Sequence, residues 1–429
     1  MEGFLKHTFN IASHPIGTFK PIYQEQYTEG LAEILSYISC HDPKVKILYG
    51  VWASSILKTK DIPKWGYSNK NLCKAKVALS LKRDGVSFFS MKQSFIFDCF
   101  YLLSISNTKY IDEAYNVFRH HLCGIFTRFA TLTNIYLYFC GKKNEDSLSV
   151  PEALLKHHRL DCHFCSKPAK KILVVATMNA GKSTLINAIT GYPINKTQNS
   201  VCTKKIRYIF NKPISDGLIT KSDNNIYKYS SMISLLDDNV SYASFHFKTD
   251  ILKNKQICLI DTPGINAKNH MSHAEITLRE INGNQYDLIV FVSNCRYFAT
   301  DDENSLLEFT IKHSKKPIIY VLNQLDCFNP ENDSISEMIN DYKSLIVKKG
   351  GYPIIVPLSA YAAQLFKSEY SQLKEYEKKI LPSFKEKFSC NYYDLENYDR
   401  LLNHVSAQTK GSLLSKTGIE ILESLIEKI

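Results

Sequence analysis

The chain has 429 residues, of which 44% are hydrophobic and 22% are charged, a composition that excludes disordered and fibrous proteins. It carries 53 Lys and Arg against 42 Asp and Glu, and residues 1–170 alone hold 22 basic and 14 acidic side chains. This mild excess would attract an acidic membrane surface, but no dense basic block occurs, which disfavours a nucleic-acid partner.

Targeting signals are missing from the sequence. No apolar run reaches the roughly 18 residues of a membrane-spanning helix, and the N-terminus lacks the basic-then-apolar pattern of a secretory signal. The 12 cysteines are scattered, which is typical of reduced thiols rather than a disulfide framework. We therefore expect a cytoplasmic protein, for which peripheral membrane association stays open.

The N-terminal part shows apolar residues at three- and four-residue spacing, the period of amphipathic helices. This spacing predicts helices over residues 28–39, 44–58, 71–82, 91–104 and 110–128. We predict a mainly α-helical N-terminal domain over residues 1–165.

A cluster of potential metal ligands ends this part. It comprises His157, His158, Cys162, His163 and Cys165. Cys-x-x-Cys spacing suits one half of a zinc site, and His120, His121 and Cys123 would supply the other half. The alternative is a pair of loop thiols with exposed histidines. Because no second Cys-x-x-Cys follows at finger spacing, the sequence disfavours zinc.

A phosphate-binding loop is predicted next. The apolar run Ile172–Val175 reads as a buried strand, Ala176–Gly181 as a turn, and Lys182 with Ser183 as the start of a helix. A helix N-terminus offers free N–H groups and a positive dipole end to phosphate. The residues expected to bind nucleotide here are Asn179, Ala180, Gly181, Lys182, Ser183 and Thr184.

Two side chains of this loop have specific expected roles. Lys182 would reach the β- and γ-phosphates, and the Ser183 hydroxyl would bind Mg²⁺. The usual motif begins with Gly, where this chain has Ala176, so we expect a slightly different turn there. The alternative is an ordinary strand–helix turn with an incidental Gly-Lys-Ser.

The γ-phosphate would be sensed by two later segments. Thr203 lies 21 residues after Lys182, where a switch Thr completes the Mg²⁺ shell, and Thr197 is its competitor. Asp261 ends a predicted strand and would hold Mg²⁺ through a water. Gly264 leaves its N–H open to the γ-phosphate, and hydrolysis would free residues 265–273 to move.

The base would be read at the end of a further buried strand, in Asn323-Gln324-Leu325-Asp326. The Asp326 carboxylate can accept from both N1–H and N2–H₂ of guanine, a pattern that adenine lacks. Asn323 would brace this loop against the phosphate loop, and Gln324 replaces the usual Lys that covers the base. Backbone N–H groups of Ser359 and Ala360 would contact guanine O6.

These motifs follow strand ends in an alternating strand–helix pattern, and ligands bind at the carboxyl ends of parallel strands. We therefore predict an α/β P-loop GTPase domain with a mostly parallel sheet flanked by helices. Residues 226–229 and 242–248 read as antiparallel strands added to it. GTP and Mg²⁺ are the expected ligands.

The stretches ATMNAGKSTLINAITG, DTPGINAKNH, ATDDENSLLEF, YVLNQLD and VPLSAYAA resemble the GTPase domain of bacterial dynamin-like proteins over about residues 168–429. The resemblance implies hydrolysis of GTP to GDP and phosphate, with dimerisation across the nucleotide face. It also implies membrane remodelling through a helical stalk. No stalk sequence follows the last predicted helix, residues 418–429, which disfavours membrane remodelling by this chain alone. Three alternatives stay open: a truncated relative, one half of a split pair with a stalk-bearing partner, and a GTPase switch that works through its N-terminal helices.

Asn179 matches the Asn of potassium-dependent GTPases of the Era and tRNA-modification type, whereas eukaryotic dynamins carry a catalytic Gln at the position of Met178. That resemblance implies that Asn179 helps to hold K⁺, so Lys182, Thr203 and Asn179 form the expected catalytic set. Ile265 follows the Asp-Thr-Pro-Gly motif, so no Gln there orients water, and we expect slow basal hydrolysis. Two alternatives stay open: an Era-like GTPase acting on ribosomes or RNA, and a GTP-gated scaffold with little turnover.

Overall fold

The computed structural model describes residues 7, 14–57, 65–66, 71–81, 89–122, 129–196, 205–224, 227–264, 271–398, 402 and 411–428. The chain divides into two compact units. The first comprises Met1–Ser166, Pro213–Ile219 and Tyr227–Met232, and the second comprises Lys167–Lys212, Thr220–Ile226 and Ile233–Ile429.

The described residues of Met1–Ser166 in the first unit are mainly helical, as the apolar spacing predicts, whereas its two shorter segments contain strand residues. Its helices are α1 (Pro21–Ile38), α2 (Pro43–Leu57), α3 (Cys73–Leu79), α4 (Phe89–Ser106), α5 (Lys109–His121), α6 (Ala130–Phe139) and α7 (Glu152–Cys165). Helix α1 begins seven residues earlier than predicted because Pro21 occupies its first position, where a fixed φ favours the helix and no N–H is needed.

A buried carboxylate helps to hold this unit together. Asp98 of α4 accepts a hydrogen bond of 2.7 Å from the Tyr27 hydroxyl of α1. It also lies 2.8 Å from Nε2 of His14, in the segment before α1. Both partners are buried, which offsets the cost of removing the carboxylate from water.

The strands form one sheet of nine in the order β4-β3-β5-β2-β6-β1-β7-β8-β9. They are β1 (Lys170–Ala176), β2 (Arg207–Asn211), β3 (Leu218–Ser222), β4 (Tyr227–Ser230), β5 (Val240–Phe245), β6 (Ile257–Asp261), β7 (Leu288–Asn294), β8 (Ile318–Asn323) and β9 (Ile354–Pro357). The helices of the second unit are α8 (Lys182–Thr190), α9 (Met271–Gly283), α10 (Asp301–His313), α11 (Ile335–Lys348), α12 (Ala360–Lys367), α13 (Glu375–Ser389), α14 (Leu413–Lys416) and α15 (Ile419–Lys428).

The predicted P-loop fold, a mostly parallel sheet with flanking helices, is confirmed. Strands β6, β1, β7, β8 and β9 run parallel to one another. Strand β2 runs antiparallel to β6, and β5 runs parallel to β2. The expectation of an antiparallel β5 therefore holds relative to β6 but not relative to its neighbour β2.

The parallel strands bring their carboxyl ends to one edge of the sheet. Val174 of β1 pairs with Asp261 at the end of β6, and Asn294 of β7 pairs with Asn323 at the end of β8. These strands are buried and rich in β-branched residues, as expected for a sheet covered on both faces. The loops that carry the predicted motifs are thus neighbours.

Among the described helices, none combines the length and the apolar character that crossing a bilayer requires.

Candidate nucleotide site at the carboxyl edge of the sheet

The turn after β1 accommodates Ala176 without strain. Ala176 is the last residue of β1, pairs with Val292 and is fully buried. The left-handed positions of the turn are Asn179 with φ of 64° and Gly181 with φ of 91°. Ala176 therefore keeps the negative φ that alanine requires at this position, because it has strand geometry.

Asn323 joins three loops of the site. Its Nδ2 donates a 2.9 Å hydrogen bond to the Ala180 carbonyl, and its Oδ1 accepts a 3.0 Å bond from the Ala360 N–H. A Cβ on Gly181 would lie only 2.1 Å from Nδ2 of Asn323. The glycine is thus needed for its backbone angle and for this close approach.

Gln324 adds a second connection between the same loops. Its Nε2 donates to the Asn179 carbonyl at 2.9 Å, and its Oε1 accepts from Nδ2 of Asn294 at 2.9 Å. The side chain therefore fixes the phosphate loop against the ends of β7 and β8. From the sequence alone, the expected role of Gln324 is limited to packing over the guanine base.

Lys182 and Asp261 form a buried ion pair between Nζ and Oδ1. The second carboxylate oxygen of Asp261 accepts a 3.1 Å hydrogen bond from Nδ2 of Asn195. The residue expected to bind phosphate and the residue expected to bind Mg²⁺ through water are therefore adjacent, as the motif spacing predicts.

Asn195 extends this pair into a polar network. Its Oδ1 accepts from Nη1 of Arg207 at 3.2 Å, and its backbone N–H donates to Oδ1 of Asn187 at 2.9 Å. Nη2 of Arg207 in turn donates to the Asp237 carbonyl at 2.9 Å. Asn195 and Arg207 position Asp261, and the sequence analysis missed both. The one available signal was an Arg at the start of an apolar strand.

Gly264 lies beside the phosphate loop. A Cβ built on it would approach Cγ of Met178 to 3.4 Å, an ordinary van der Waals contact, and its φ is not positive. The Thr262 hydroxyl fixes the same segment by donating to the Val174 carbonyl at 2.8 Å. The space at Gly264 would therefore accept a methyl group without disturbing the fold.

Asp326 is oriented by three contacts. The Ser359 hydroxyl donates to its Oδ1 at 2.5 Å, and Nζ of Lys387 donates to its carbonyl at 2.6 Å. The N–H of the preceding residue, Leu325, donates to the Leu358 carbonyl at 3.1 Å. These bonds hold the carboxylate that is expected to read guanine.

The N–H groups of Ser359 and Ala360 have acceptors within the protein. The Ser359 N–H donates to the Thr417 carbonyl at 2.9 Å, and the Ala360 N–H donates to Asn323. Both donors therefore already have acceptors, and a bond to guanine O6 requires one of them to be shared. Ser359 instead acts through its hydroxyl, which also caps α12 by accepting from the Ala362 N–H at 3.1 Å.

Two thiols near Asp326 stay protonated at neutral pH. Burial and the Asp326 carboxylate raise the pKa of Cys327, and burial raises the pKa of Cys295 well above its ordinary value. Neither thiol adds negative charge beside the carboxylate. The negative charge at the predicted guanine-binding end of the site therefore comes from Asp326 and not from these thiols.

The remaining predicted residues divide into two groups. Ser183 and Thr184 lie half-buried in the first turn of α8. Thr203, its competitor Thr197, and Ile265 lie outside the described residues, so their predicted roles stay predictions.

The sequence and the fold of this chain are similar to those of known nucleotide-binding proteins. A family model for the dynamin family matches residues 172–325, whereas curated protein sequences gave no significant match. Among solved structures, Era in complex with MgGDPNP and a segment of 16S ribosomal RNA is 22% identical over 45% of this chain and 51% of that chain, with a TM-score of 0.30.

Two further structures extend this comparison. A variant of Era from Aquifex aeolicus bound to GDP·AlF₄⁻ is 20% identical over 46% of this chain and 52% of that chain, with a TM-score of 0.30. One member of an oligomerised bacterial dynamin pair, described as sensing and tethering membranes, is 16% identical over 96% of this chain and 61% of that chain, with a TM-score of 0.36. This chain spans about half the length of the Era structures. The match to the dynamin-family model is confined to residues 172–325 of this chain.

Proposed function

We propose that this chain, whose residues 172–325 form a GTPase domain of the dynamin family, binds GTP through the site described above and hydrolyses it to GDP and phosphate. The observation that carries this proposal is the Asn323 side chain, which connects the phosphate loop at Ala180 to the loop at Ala360. One amide thereby couples the end of the site that binds phosphate to the end that reads the base.

The residues at the phosphate end fit a Mg²⁺–GTP complex. Gly181 opens α8 with the left-handed backbone that turns N–H groups toward a phosphate, and Asn323 fills the space where a Cβ would lie. Ser183 and Asp261 offer the oxygen ligands that Mg²⁺ prefers, directly or through water. Bound Mg²⁺ supplies positive charge to the β- and γ-phosphate oxygens.

Lys182 changes partner when it binds phosphate. Its ammonium lies against Asp261, and a triphosphate offers it oxygens of higher negative charge. Asp261 keeps its hydrogen bond from Asn195 during this exchange, so the carboxylate stays oriented toward the metal position. The Asn195–Arg207 network therefore supports both arrangements of the ion pair.

The first expected result concerns Gly264. Gly264→Ala should leave the thermal unfolding midpoint unchanged, because among the described residues the methyl group meets only Met178, at an ordinary contact distance. Alanine keeps the N–H, but its methyl group would obstruct the approach of the γ-phosphate. The preference for a non-hydrolysable GTP analogue over GDP should therefore fall by about 10- to 100-fold, the worth of one hydrogen bond to a charged group. Titration calorimetry with both nucleotides measures this preference.

The matched control is Gly283→Ala, since no atom of the residues that the structure describes lies within 4 Å of a Cβ there. Retention of the wild-type preference in Gly264→Ala would show that this N–H does not contact the γ-phosphate.

The second expected result concerns K⁺. We propose that Asn179 helps to hold a monovalent cation, which supplies positive charge beside the phosphates. Hydrolysis should then be at least about tenfold faster in K⁺ than in Na⁺, a fraction of what an arginine finger supplies. Asn179→Gly should abolish the difference, because Gly accepts the φ of 64° and removes only the side chain. Phosphate release in matched KCl and NaCl buffers is the measurement, and equal wild-type rates would refute the cation role.

We further propose that the protein works at an anionic membrane surface, pairs through its GTPase domains and acts with a stalk-bearing second polypeptide. The dynamin-family match and the net charge of +11 support this proposal. The GTP-loaded protein should sediment with phosphatidylserine vesicles at low salt and much less with neutral vesicles. Sedimentation that is equal for both vesicle types, or that follows co-purifying RNA instead, would contradict it.

A further inference from the structure

A cluster of potential metal ligands lies in the first unit, formed by His7, Asp161 and Cys165. One ligand atom of each lies within 4.8 Å of the other two. Nδ1 of His7 is 2.5 Å from Oδ2 of Asp161 and 3.7 Å from Sγ of Cys165. The Asp161 side chain is 0% exposed and that of His7 is 19% exposed. The cluster thus combines an imidazole, a carboxylate and a thiol in a largely dry place.

The fold preorganises this cluster from two distant parts of the chain. Asp161 and Cys165 are four residues apart on α7, so both side chains lie on one face of the helix. His7 reaches them from the segment before α1. The Tyr101 hydroxyl of α4 donates a 2.9 Å hydrogen bond to Oδ2 of Asp161 and orients the carboxylate, as outer-shell partners of metal ligands do.

We propose that His7, Asp161 and Cys165 form a zinc site. Imidazole nitrogen, carboxylate oxygen and thiolate sulfur are the ligand atoms that zinc takes in proteins. Zinc bonds of about 2.0–2.3 Å in a tetrahedron place nitrogen and sulfur roughly 3.5 Å apart, close to the 3.7 Å between His7 and Cys165.

Metal binding requires two small changes at the cluster. The contact between His7 and Asp161 must widen by roughly 0.8 Å, since zinc takes the place of the hydrogen between these atoms. That proton leaves Nδ1, and the neutral ring then carries its hydrogen on Nε2. The Cys165 thiol must also release its proton to solvent, because the thiolate is the ligand. These changes are compatible with the partial exposure of the His7 side chain.

Cys162, three residues before Cys165 on the same helix, is exposed and is not one of the three clustered ligands, so the fourth ligand position would be open to water. Sγ of Cys162 lies 3.4 Å from Nε2 of His158, which places a further imidazole beside it. The Cys-x-x-Cys spacing noted in the sequence is thus carried by α7 and not by a loop.

The second half of the site differs from the expected one. His121 at the end of α5 packs edge-on against the Tyr37 ring at 5.6 Å. Cys123 lies outside the described residues. His7 and Asp161 take the place of this pair, and bound zinc would fasten the segment before α1 to α7. Zinc binding at this cluster does not require the proposed GTPase function.

Zinc content tests the proposal directly. The full chain, without a histidine tag, is incubated with Zn²⁺, dialysed, and measured by plasma mass spectrometry. About one zinc ion per chain should remain. His7→Ala and Cys165→Ser should each weaken Zn²⁺ affinity by more than about tenfold. The matched control is His163→Ala, whose side chain is exposed on the same helix.

Wild-type protein that retains no zinc, or variants that both retain it in full, would overturn the proposal. Should Cys165→Ser fail to fold in thermal melts, the wild type loaded with Co²⁺ decides the question. A thiolate-to-cobalt charge-transfer band would support ligation by Cys165, and its absence would exclude it. Binding of GTP is not needed for either measurement, so the zinc site and the GTPase proposal fail separately.

Discussion

Lys182→Ala should lower GTP affinity on the order of 100-fold or more. Lys182 begins α8 and is the ammonium group expected at the β- and γ-phosphates. Each hydrogen bond to a charged group contributes about 1.5–3 kcal/mol, and this side chain can donate more than one. Fluorescence titration with a labelled GTP measures the loss.

The same substitution should also destabilise the protein. It leaves the fully buried Asp261 carboxylate without its cation, and breaking a buried pair costs about 3–5 kcal/mol. The thermal midpoint should therefore fall by roughly 5–15 °C. Calorimetry of the single variant checks this value.

A double variant separates the two effects. Lys182→Ala combined with Asp261→Asn removes both charges, so most of the lost stability should return while GTP binding stays absent. Lys316→Ala, at an exposed position, is the matched control for the loss of one positive charge. GTP binding by the stable double variant at wild-type affinity would show that the phosphates bind elsewhere.

Asp326→Asn should lower GTP affinity by about 100-fold and raise affinity for xanthosine triphosphate. The carboxylate accepts from both N1–H and N2–H₂ of guanine, whereas an amide offers one acceptor and one donor. The amide donor matches the C2 carbonyl of xanthine. A site built to hydrogen-bond a polar group discriminates strongly against a ligand that lacks it. Competition between the two nucleotides for the site is the measurement.

The control for this exchange is Glu331→Gln, which removes an exposed carboxylate from the following segment. Its nucleotide preference should equal that of the wild type. A second variant, Ser359→Ala, removes the hydroxyl that orients Asp326 and should weaken GTP without admitting xanthosine triphosphate. Unchanged GTP affinity in Asp326→Asn would exclude this residue from base recognition.

The phosphate loop and the guanine motif could be predicted because each lies at the end of a buried strand. Ile172–Val175 form an apolar run, and Asn323 ends another. The start and end of each run can be read from the sequence alone, and the parallel sheet brings the carboxyl ends of these strands together. Ala176 was the exception, since the strand extends one residue further than the motif suggests.

The partners of these residues could not be predicted in the same way. Asn195 and Arg207 reach Asp261 only after the sheet has formed, and their spacing in sequence carries no sign of it. The acceptors of the Ser359 and Ala360 N–H groups, the Thr417 carbonyl and the Asn323 side chain, are also distant from them in the sequence. Contacts of this kind depend on tertiary packing and not on local pattern.

For helix α7, the sequence prediction of metal ligands did not include Asp161. The His and Cys spacing of this segment suits one half of a zinc site, and the alternative is a pair of loop thiols with exposed histidines. Its buried positions, including Leu154, His157, Asp161 and Phe164, follow the three- and four-residue period of a helix. That period indicated which side chains share a face, and it would have included Asp161 among the candidate ligands.

The most direct test of the central claim is nucleotide competition on the full-length protein with Mg²⁺. Labelled GTP is bound, and unlabelled GTP, GDP and ATP are then added in turn. The account predicts displacement by GTP at low concentrations, by GDP at concentrations about 10- to 100-fold higher, and no displacement by ATP even at about a thousandfold higher concentration than GTP. Equal displacement by ATP, or no binding of labelled GTP by the folded protein, would contradict it.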